Sequence, residues 1–298
     1  MTIIDKKILV TGVTGTLGRE VAKRYLKEGA IVRGLVRDEK SYQELKGIGI
    51  EPILGELTNR VSLLEATIDI DIIIHCAAYL GEDSEKAMNS NVIGVENLAS
   101  VAIEVGIKRF VHISTLSVYG EPTEGYFDEN SPITESHTEV YIKTKVQSER
   151  ILNKYKDKGL DLIILRPGAI CAEKNSYWGD RQVERMINTD VVNWVNPDDL
   201  IPWVHRDNMI EMIFVAMIKG ISGEVYNSID GNYPDKEYRL ELINTIGKKY
   251  TLPERRLERP IYSNKKIKDL GYKPIRTFEE TISNLKKLAL KQSKYITR

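Results

Sequence analysis

Tyr141 and Lys145 stand four residues apart in YIKTK, within a stretch of helical periodicity from Thr138 to Lys156. Residues at i and i+4 share one face of a helix, so a phenol and an ammonium point the same way. That pairing suits proton transfer. A tyrosine of ordinary pKa, about 10, is a poor shuttle at neutral pH, and a neighbouring cation lowers it by favouring the phenolate. Bringing it to about 7 takes roughly 4 kcal/mol, at about 1.4 per unit. Such pairs are common on helix surfaces, and this one gains meaning from STLSVYG at Ser114–Gly120. A hydroxyl at the end of a strand there can hold a carbonyl while Tyr141 gives or takes the proton.

What must position these groups begins at KILVTGVTGTLG, Lys7–Gly18. A short apolar run enters a turn with Gly12, Gly15 and Gly18, and helical spacing follows from Thr16 to Glu28. Strand, glycine turn and helix N-terminus together favour a phosphate. The spacing is G-x-x-G-x-x-G, not the commoner G-x-G-x-x-G, and no Gly-Lys-Ser/Thr follows, which argues against an NTPase loop. A dinucleotide diphosphate is the expected ligand. Its nicotinamide ring, with Lys145 and partial burial, is expected to supply the stabilisation that the Tyr141 phenolate requires.

The second strand, Ala30–Val36, ends where a dinucleotide site usually carries an acid for the ribose 2′-OH. Val36 takes that place and Arg37 follows. A guanidinium pairs with a 2′-phosphate that a carboxylate would repel, so NADP(H) is expected over NAD(H).

Strands at Glu51–Leu54, Ile70–His75, Phe110–Ser114 and Leu160–Leu165 alternate with helices at Asn59–Ala66, Glu82–Val105 and Thr138–Lys156. This predicts an α/β fold: a doubly wound parallel (Rossmann) sheet with a small discontinuous C-terminal substrate lobe. Residues 1–166 plus 201–229 are expected to form the dinucleotide-binding domain, with Glu224–Ile229 rejoining the sheet. Residues 167–200 plus 230–298 are expected to form the lobe. Asn175–Leu200 has weak periodicity, and the chain beyond 230 reads as short helices and turns. Trp178, Trp194 and Trp203 are expected in the lobe's core rather than as a substrate wall.

Lys plus Arg and Asp plus Glu are 43 each. That balance calls for no nucleic acid and no anionic membrane; a small-molecule substrate is the expected partner. Cys76 and Cys171 have no metal-type spacing, and His75 beside Cys76 supplies too few ligands for a metal. No leader or membrane-length apolar run is evident, so a soluble, cytoplasmic protein is expected.

TGVTGTLG, HCAA (His75–Ala78), NVIG (Asn91–Gly94), HISTLSVYG, YIKTK and RPGAI, in that order, resemble the extended short-chain dehydrogenase/reductase superfamily. The likeness covers nearly the whole chain and extends to SNKKIKDLGYKP at Ser263–Pro274. It implies catalytic roles for Thr115, Tyr141 and Lys145, the lysine also holding the nicotinamide ribose. It implies cofactor contacts at Gly12, Gly15, Thr16, Leu17, Gly18, Ala77, Ala78, Tyr141, Lys145 and Pro167, and matches Asn91 to a motif asparagine. A homodimer through the two long helices is common among relatives.

Departures from the family pattern narrow the reading. Dehydratases carry Asp and Glu directly after the catalytic threonine, where this chain has Leu116 and Ser117. Epimerases carry an arginine near Ile201 for a substrate diphosphate, a place that Arg206 or Arg181 can substitute for. The expectation is an NADP-dependent carbonyl reductase or alcohol dehydrogenase acting on a non-nucleotide substrate. A nucleotide-sugar 4-epimerase and a non-catalytic NADP(H)-sensing protein are the alternatives.

Overall fold

The structure, a computed structural model, describes residues 2–296. In chain order the first elements are β1 (Lys7–Thr11), α1 (Thr16–Lys27), β2 (Ile31–Val36), α2 (Glu39–Lys46) and β3 (Glu51–Leu54). Then come α3 (Arg60–Ala66), β4 (Ile72–His75), α4 (Ser84–Ala87), a π-helical turn (Met88–Ile93), α5 (Gly94–Glu104) and β5 (Arg109–Ile113). A 3₁₀ turn (Leu116–Tyr119) leads to β6 (Glu124–Phe127), α6 (Val140–Lys156), β7 (Leu162–Pro167) and β8 (Ala169–Cys171). The remainder is α7 (Asp180–Ile187), β9 (Val191–Val192), β10 (Leu200–His205), α8 (Arg206–Lys219), β11 (Val225–Ser228) and β12 (Gly231–Pro234). It ends with α9 (Arg239–Ile246), β13 (Lys249–Tyr250), β14 (Arg259–Tyr262), α10 (Lys265–Asp269) and α11 (Phe278–Ile296).

The chain divides into two compact units. The first comprises residues up to Gly120, Pro132–Arg166 and Ile213–Tyr226. It holds the seven-stranded sheet, order β11-β7-β5-β4-β1-β2-β3. β1 pairs in parallel with both β2 and β4, with Thr11 opposite His75 at the carboxyl ends. The chain therefore winds one way through β2 and β3 and the other way through β4, β5 and β7. A doubly wound sheet leaves its ligand crevice at that reversal, beyond the ends of β1 and β4.

The strands read as continuous apolar runs because helices cover both faces. Ile72, Ile73 and Ile74 are fully buried. Leu9, Ile73, Phe110 and Ile164 pack with Leu63 of α3, Leu98 of α5 and Leu152 of α6. Each such side chain contributes about 1.5–3 kcal/mol through burial. The helices start where the sequence provides caps: Asp38 accepts from Ser41 N at 2.8 Å, and Asn59 accepts from Val61 N at 3.0 Å.

The second unit comprises Glu121–Ser131, Pro167–Met212 and the chain from Asn227 onward. It contains the sheet β12-β10-β8 and the pairs β13-β9 and β14-β6. Residues 121–131 and 201–212 were expected in the first domain. They fall in this unit because β6 pairs with β14, Glu124 opposite Arg259, and β10 pairs with β8 and β12. Trp203 is fully buried and meets Phe278 edge-on at 5.1 Å, while Trp178 and Trp194 pack against the same core. Trp203 is thus a core residue, with Trp178 and Trp194 half-buried against it. Two helices break the expectation of an irregular lobe, namely α7 and the 19-residue α11. No helix among the described residues is long and apolar enough to cross a membrane.

Candidate active site

The glycine turn follows β1 directly. Gly12 has φ +67°, and a Cβ there would lie 2.6 Å from Ala77 N. A Cβ on Gly18 would lie 2.3 Å from the Gly12 carbonyl oxygen. Only hydrogen fits at either place. Gly15 N donates to Gly12 O at 2.9 Å, which closes the turn. α1 then begins at Thr16 and Leu17 with no side-chain cap and no acidic residue in its first turn. A twelve-residue helix opened in this way puts the positive end of its dipole at the turn. The cradle fits a dinucleotide diphosphate.

Arg37 follows β2 and is exposed. Asp38, the nearest acid, is occupied: Ser41 donates to it from its backbone N at 2.8 Å and from Oγ at 2.9 Å. These bonds, the backbone one foremost, hold the Asp38 carboxyl below its ordinary range.

At the end of β4, Ala77 N donates to Thr11 Oγ1 at 3.4 Å, and Thr11 Oγ1 shares a 2.7 Å hydrogen bond with His75 Nδ1. Asn91 sits in the π-helical turn and ties the strand-end loop to α6. Its Oδ1 accepts from Tyr79 N at 2.7 Å, while Nδ2 donates to Tyr79 O at 2.9 Å and to Thr144 Oγ1 at 3.0 Å. Ala77 and Ala78, partly buried, lie in the stretch so held. Pro167 is buried at the end of β7 and belongs to the second unit.

Thr115, Tyr141 and Lys145 come together within the first unit. Thr115 Oγ1 accepts from Ser117 N at 3.2 Å and is hydrogen-bonded to the Tyr141 hydroxyl. Lys145 lies one turn along α6 from Tyr141, buried, and its Nζ donates to the Ile113 carbonyl at 2.7 Å. Burial pulls the ammonium down to about 8, opposed chiefly by the Glu149 charge.

The sequence reading has Lys145, the nicotinamide charge and partial burial together lower the tyrosine. Burial instead pushes the Tyr141 phenol up to about 12, with the Thr115 hydrogen bond pulling the other way. Removing a phenolate from water disfavours the charged form, and the Lys145 ammonium is directed at Ile113 O. In this arrangement Tyr141 is a protonated donor, poised to give a proton.

Sequence reasoning passed over a second layer behind these residues. Glu149, two turns from Tyr141, accepts from Ser114 Oγ at 2.5 Å and from Arg166 Nε and Nη2 at 3.0 and 2.6 Å. Arg166 Nη1 donates to the Tyr119 hydroxyl at 2.9 Å. The signal available was the repeat of four that runs Tyr141, Lys145, Glu149, together with a lone arginine ending the apolar run LIIL.

Residues 8–228 match the NAD dependent epimerase/dehydratase family. The chain belongs to this family. It is a pyridine-nucleotide-dependent family of extended short-chain dehydrogenase/reductase enzymes. A 4-hydroxy-2-methyl-3-oxo-4-farnesyl-3,4-dihydroquinoline-1-oxide ketoreductase of Stigmatella aurantiaca is 31% identical over 76% of this chain and 68% of its own. A 2-alkyl-3-oxoalkanoate reductase of Stenotrophomonas maltophilia is 30% identical over 60% of this chain and 55% of its own. Among solved structures, the UDP-glucose 4-epimerase of Thermotoga maritima shares the fold with TM-score 0.81 at 20% identity, covering 96% of this chain and 99% of that one.

His75 and His112 lie opposite each other across β4 and β5, with rings stacked at 5.3 Å. Both are fully buried, and burial, aided by the Lys145 charge, keeps them neutral: His75 is pushed down to about 3 and His112 well below its usual value. Below about pH 6.5 the unfolded chain binds protons that the folded one refuses, so stability falls as pH falls, by about 1.4 kcal/mol per unit for each histidine. Denaturant unfolding at stepped pH is expected to show a slope about 1.4 kcal/mol per unit shallower in His112→Leu than in the wild type. An unchanged slope contradicts this assignment.

Proposed function

We propose that this protein is an NADP(H)-dependent reductase of a ketone or aldehyde on a non-nucleotide substrate, working also in reverse. The observation that carries the reading is the Thr115–Tyr141 hydrogen bond with buried Lys145 one helical turn away. Gly12, Gly15, Thr16, Leu17 and Gly18 would hold the diphosphate, with Ala77 and Ala78 lining the cofactor's path. Arg37 would take the 2′-phosphate by charge-assisted hydrogen bonds, since Asp38 is engaged with Ser41. When bound, the reduced cofactor supplies the hydride.

The chain's own residues supply the rest. Thr115 donates a hydrogen bond to the substrate oxygen and stabilises the negative charge that grows there. Tyr141 gives its phenolic proton to the alkoxide and regains one from solvent. Lys145 places a positive charge beside the phenol and would hold the nicotinamide ribose.

Leu116 and Ser117 favour reduction over dehydration, because neither side chain can serve as the carboxylic acid or carboxylate that elimination uses. The two reductase relatives support the same direction. NADPH oxidation across a panel of ketones, aldehydes and nucleotide sugars tests the proposal. Net NADPH loss with a non-nucleotide carbonyl supports it. Epimerised sugar with no net loss favours the 4-epimerase, and binding without any turnover favours the sensor.

A further inference from the structure

Lys145 is buried, with 3% of its surface exposed. Its Nζ has a backbone carbonyl for a partner and no carboxylate in direct contact. Tyr141 stands one turn before it and Glu149 one turn after it on α6, and Glu149 takes the hydroxyl of Ser114, the residue next to the Ile113 carbonyl that Lys145 holds. Cys76 and His75 at the end of β4 and His112 on β5 also interact with it electrostatically. Cys76 and both histidines are neutral at physiological pH, because burial opposes their charged forms. Glu149 is therefore the standing negative charge among them.

That carboxylate is itself buried and held in a fork by Arg166, which lies over the Tyr119 ring with its guanidinium carbon 4.9 Å from the ring centre. Its Oε1 also takes the Ser114 hydroxyl, next to Thr115. Geometry fixes Glu149 in one place, and Arg166 offsets part of its field.

We propose that Glu149 is a positioning residue that keeps the Lys145 ammonium charged in its buried setting, with Arg166 as a counterweight that limits the effect. The pair thereby sets the upper pH limit of the reaction. This inference rests on the reductase reading for its consequence but not for its test, which needs neither substrate nor cofactor.

Two changes act with opposite sign. Glu149→Gln removes the negative charge and keeps the side chain's size, so Lys145 loses its proton at lower pH. Arg166→Gln leaves the carboxylate uncompensated toward Lys145, so the ammonium persists to higher pH. A purely structural role would loosen the site in both variants and move both the same way.

The readout is the pH titration of the Lys145 Cε resonance in isotopically lysine-labelled protein, assigned by its absence from Lys145→Met. The wild-type midpoint is expected at about 8. Glu149→Gln is expected to lower it by about one unit and Arg166→Gln to raise it by a similar amount. Arg166→Lys, which retains the charge, is expected to stay near the wild type. Glu149→Asp, also charge-preserving, provides the comparison should Arg166→Gln not fold. Midpoints that move together in the Glu149→Gln and Arg166→Gln proteins, or a Glu149→Gln midpoint equal to that of Glu149→Asp, overturn the inference. Shifted midpoints in a protein that reduces no carbonyl leave the inference standing and remove the reductase reading instead.

Discussion

Tyr141→Phe is expected to lower kcat for carbonyl reduction by about 10²–10⁴-fold, the usual contribution of a positioned general acid. NADPH affinity is expected to change by no more than a few-fold, because the diphosphate cradle and Arg37 lie on other elements. The expectation follows from one hydroxyl. Tyr141 carries the proton, and Thr115 is bonded to the same oxygen. The folded state should tolerate the change, since the ring stays and the lost bond is worth about 1 kcal/mol net. Single-turnover rates with a saturating substrate separate the chemical step from binding. A variant within a few-fold of wild type in that step rejects Tyr141 as the proton donor.

The pH behaviour of this step has a defined shape. With the phenol pushed up to about 12 and the ammonium down to about 8, Lys145 loses its proton before Tyr141 as the pH rises. Reduction is expected to weaken above about 8 because the Lys145 cation one helical turn from the phenol disappears, while Tyr141 still holds its proton.

Arg37→Ala is the second large effect. A hydrogen bond to a charged group contributes about 1.5–3 kcal/mol. Losing it should weaken NADPH binding by about 10–150-fold, at roughly 1.4 kcal/mol for each tenfold. NADH lacks the 2′-phosphate, so its affinity is expected to stay the same. Fluorescence titration of both cofactors against wild type and variant measures this directly. Equal losses for the two cofactors, or none for either, reject Arg37 as the 2′-phosphate ligand. The Asp38 carboxylate, for its part, caps α2 by accepting from Ser41 N and Oγ.

The parts of the fold legible in the sequence were those encoded locally. The alternation of IIIH, RFVHI and LIILRP with helical stretches fixed the strands of the central sheet to within two residues. The glycine turn was equally plain, because its conformation needs residues without a Cβ at Gly12 and Gly18. What escaped depended on partners far along the chain. Glu124–Phe127 is an ordinary short segment until it pairs with Arg259–Tyr262, some 130 residues later. α7 hid in an Asn- and Asp-rich stretch: it is eight residues long, and its buried side chains are Gln182, Val183, Met186 and Ile187. Its start is fixed by Asp180, which accepts from Asn175 N and Ser176 N at 2.7 Å each.

The candidate site divides the same way. Tyr141 and Lys145 share a face by helical spacing, and that much needs no structure. The protonation state does need it, because the balance of burial against a neighbouring charge depends on where Lys145 Nζ points. It points at Ile113 O. Glu149 and Arg166 were invisible as a pair for a related reason: a charged residue reads as solvated until its partner, seventeen positions away, is found beside it in the core.

Net reduction by the Thr115–Tyr141–Lys145 centre with a released cofactor leaves an isotopic signature. NADPH deuterated at its transferable position is supplied with the best non-nucleotide carbonyl from the substrate panel. One deuterium is expected on the carbinol carbon for each NADPH oxidised, with labelled product accumulating over many turnovers. Label returned to the cofactor, with no net oxidation and a nucleotide sugar inverted instead, rules out net reduction.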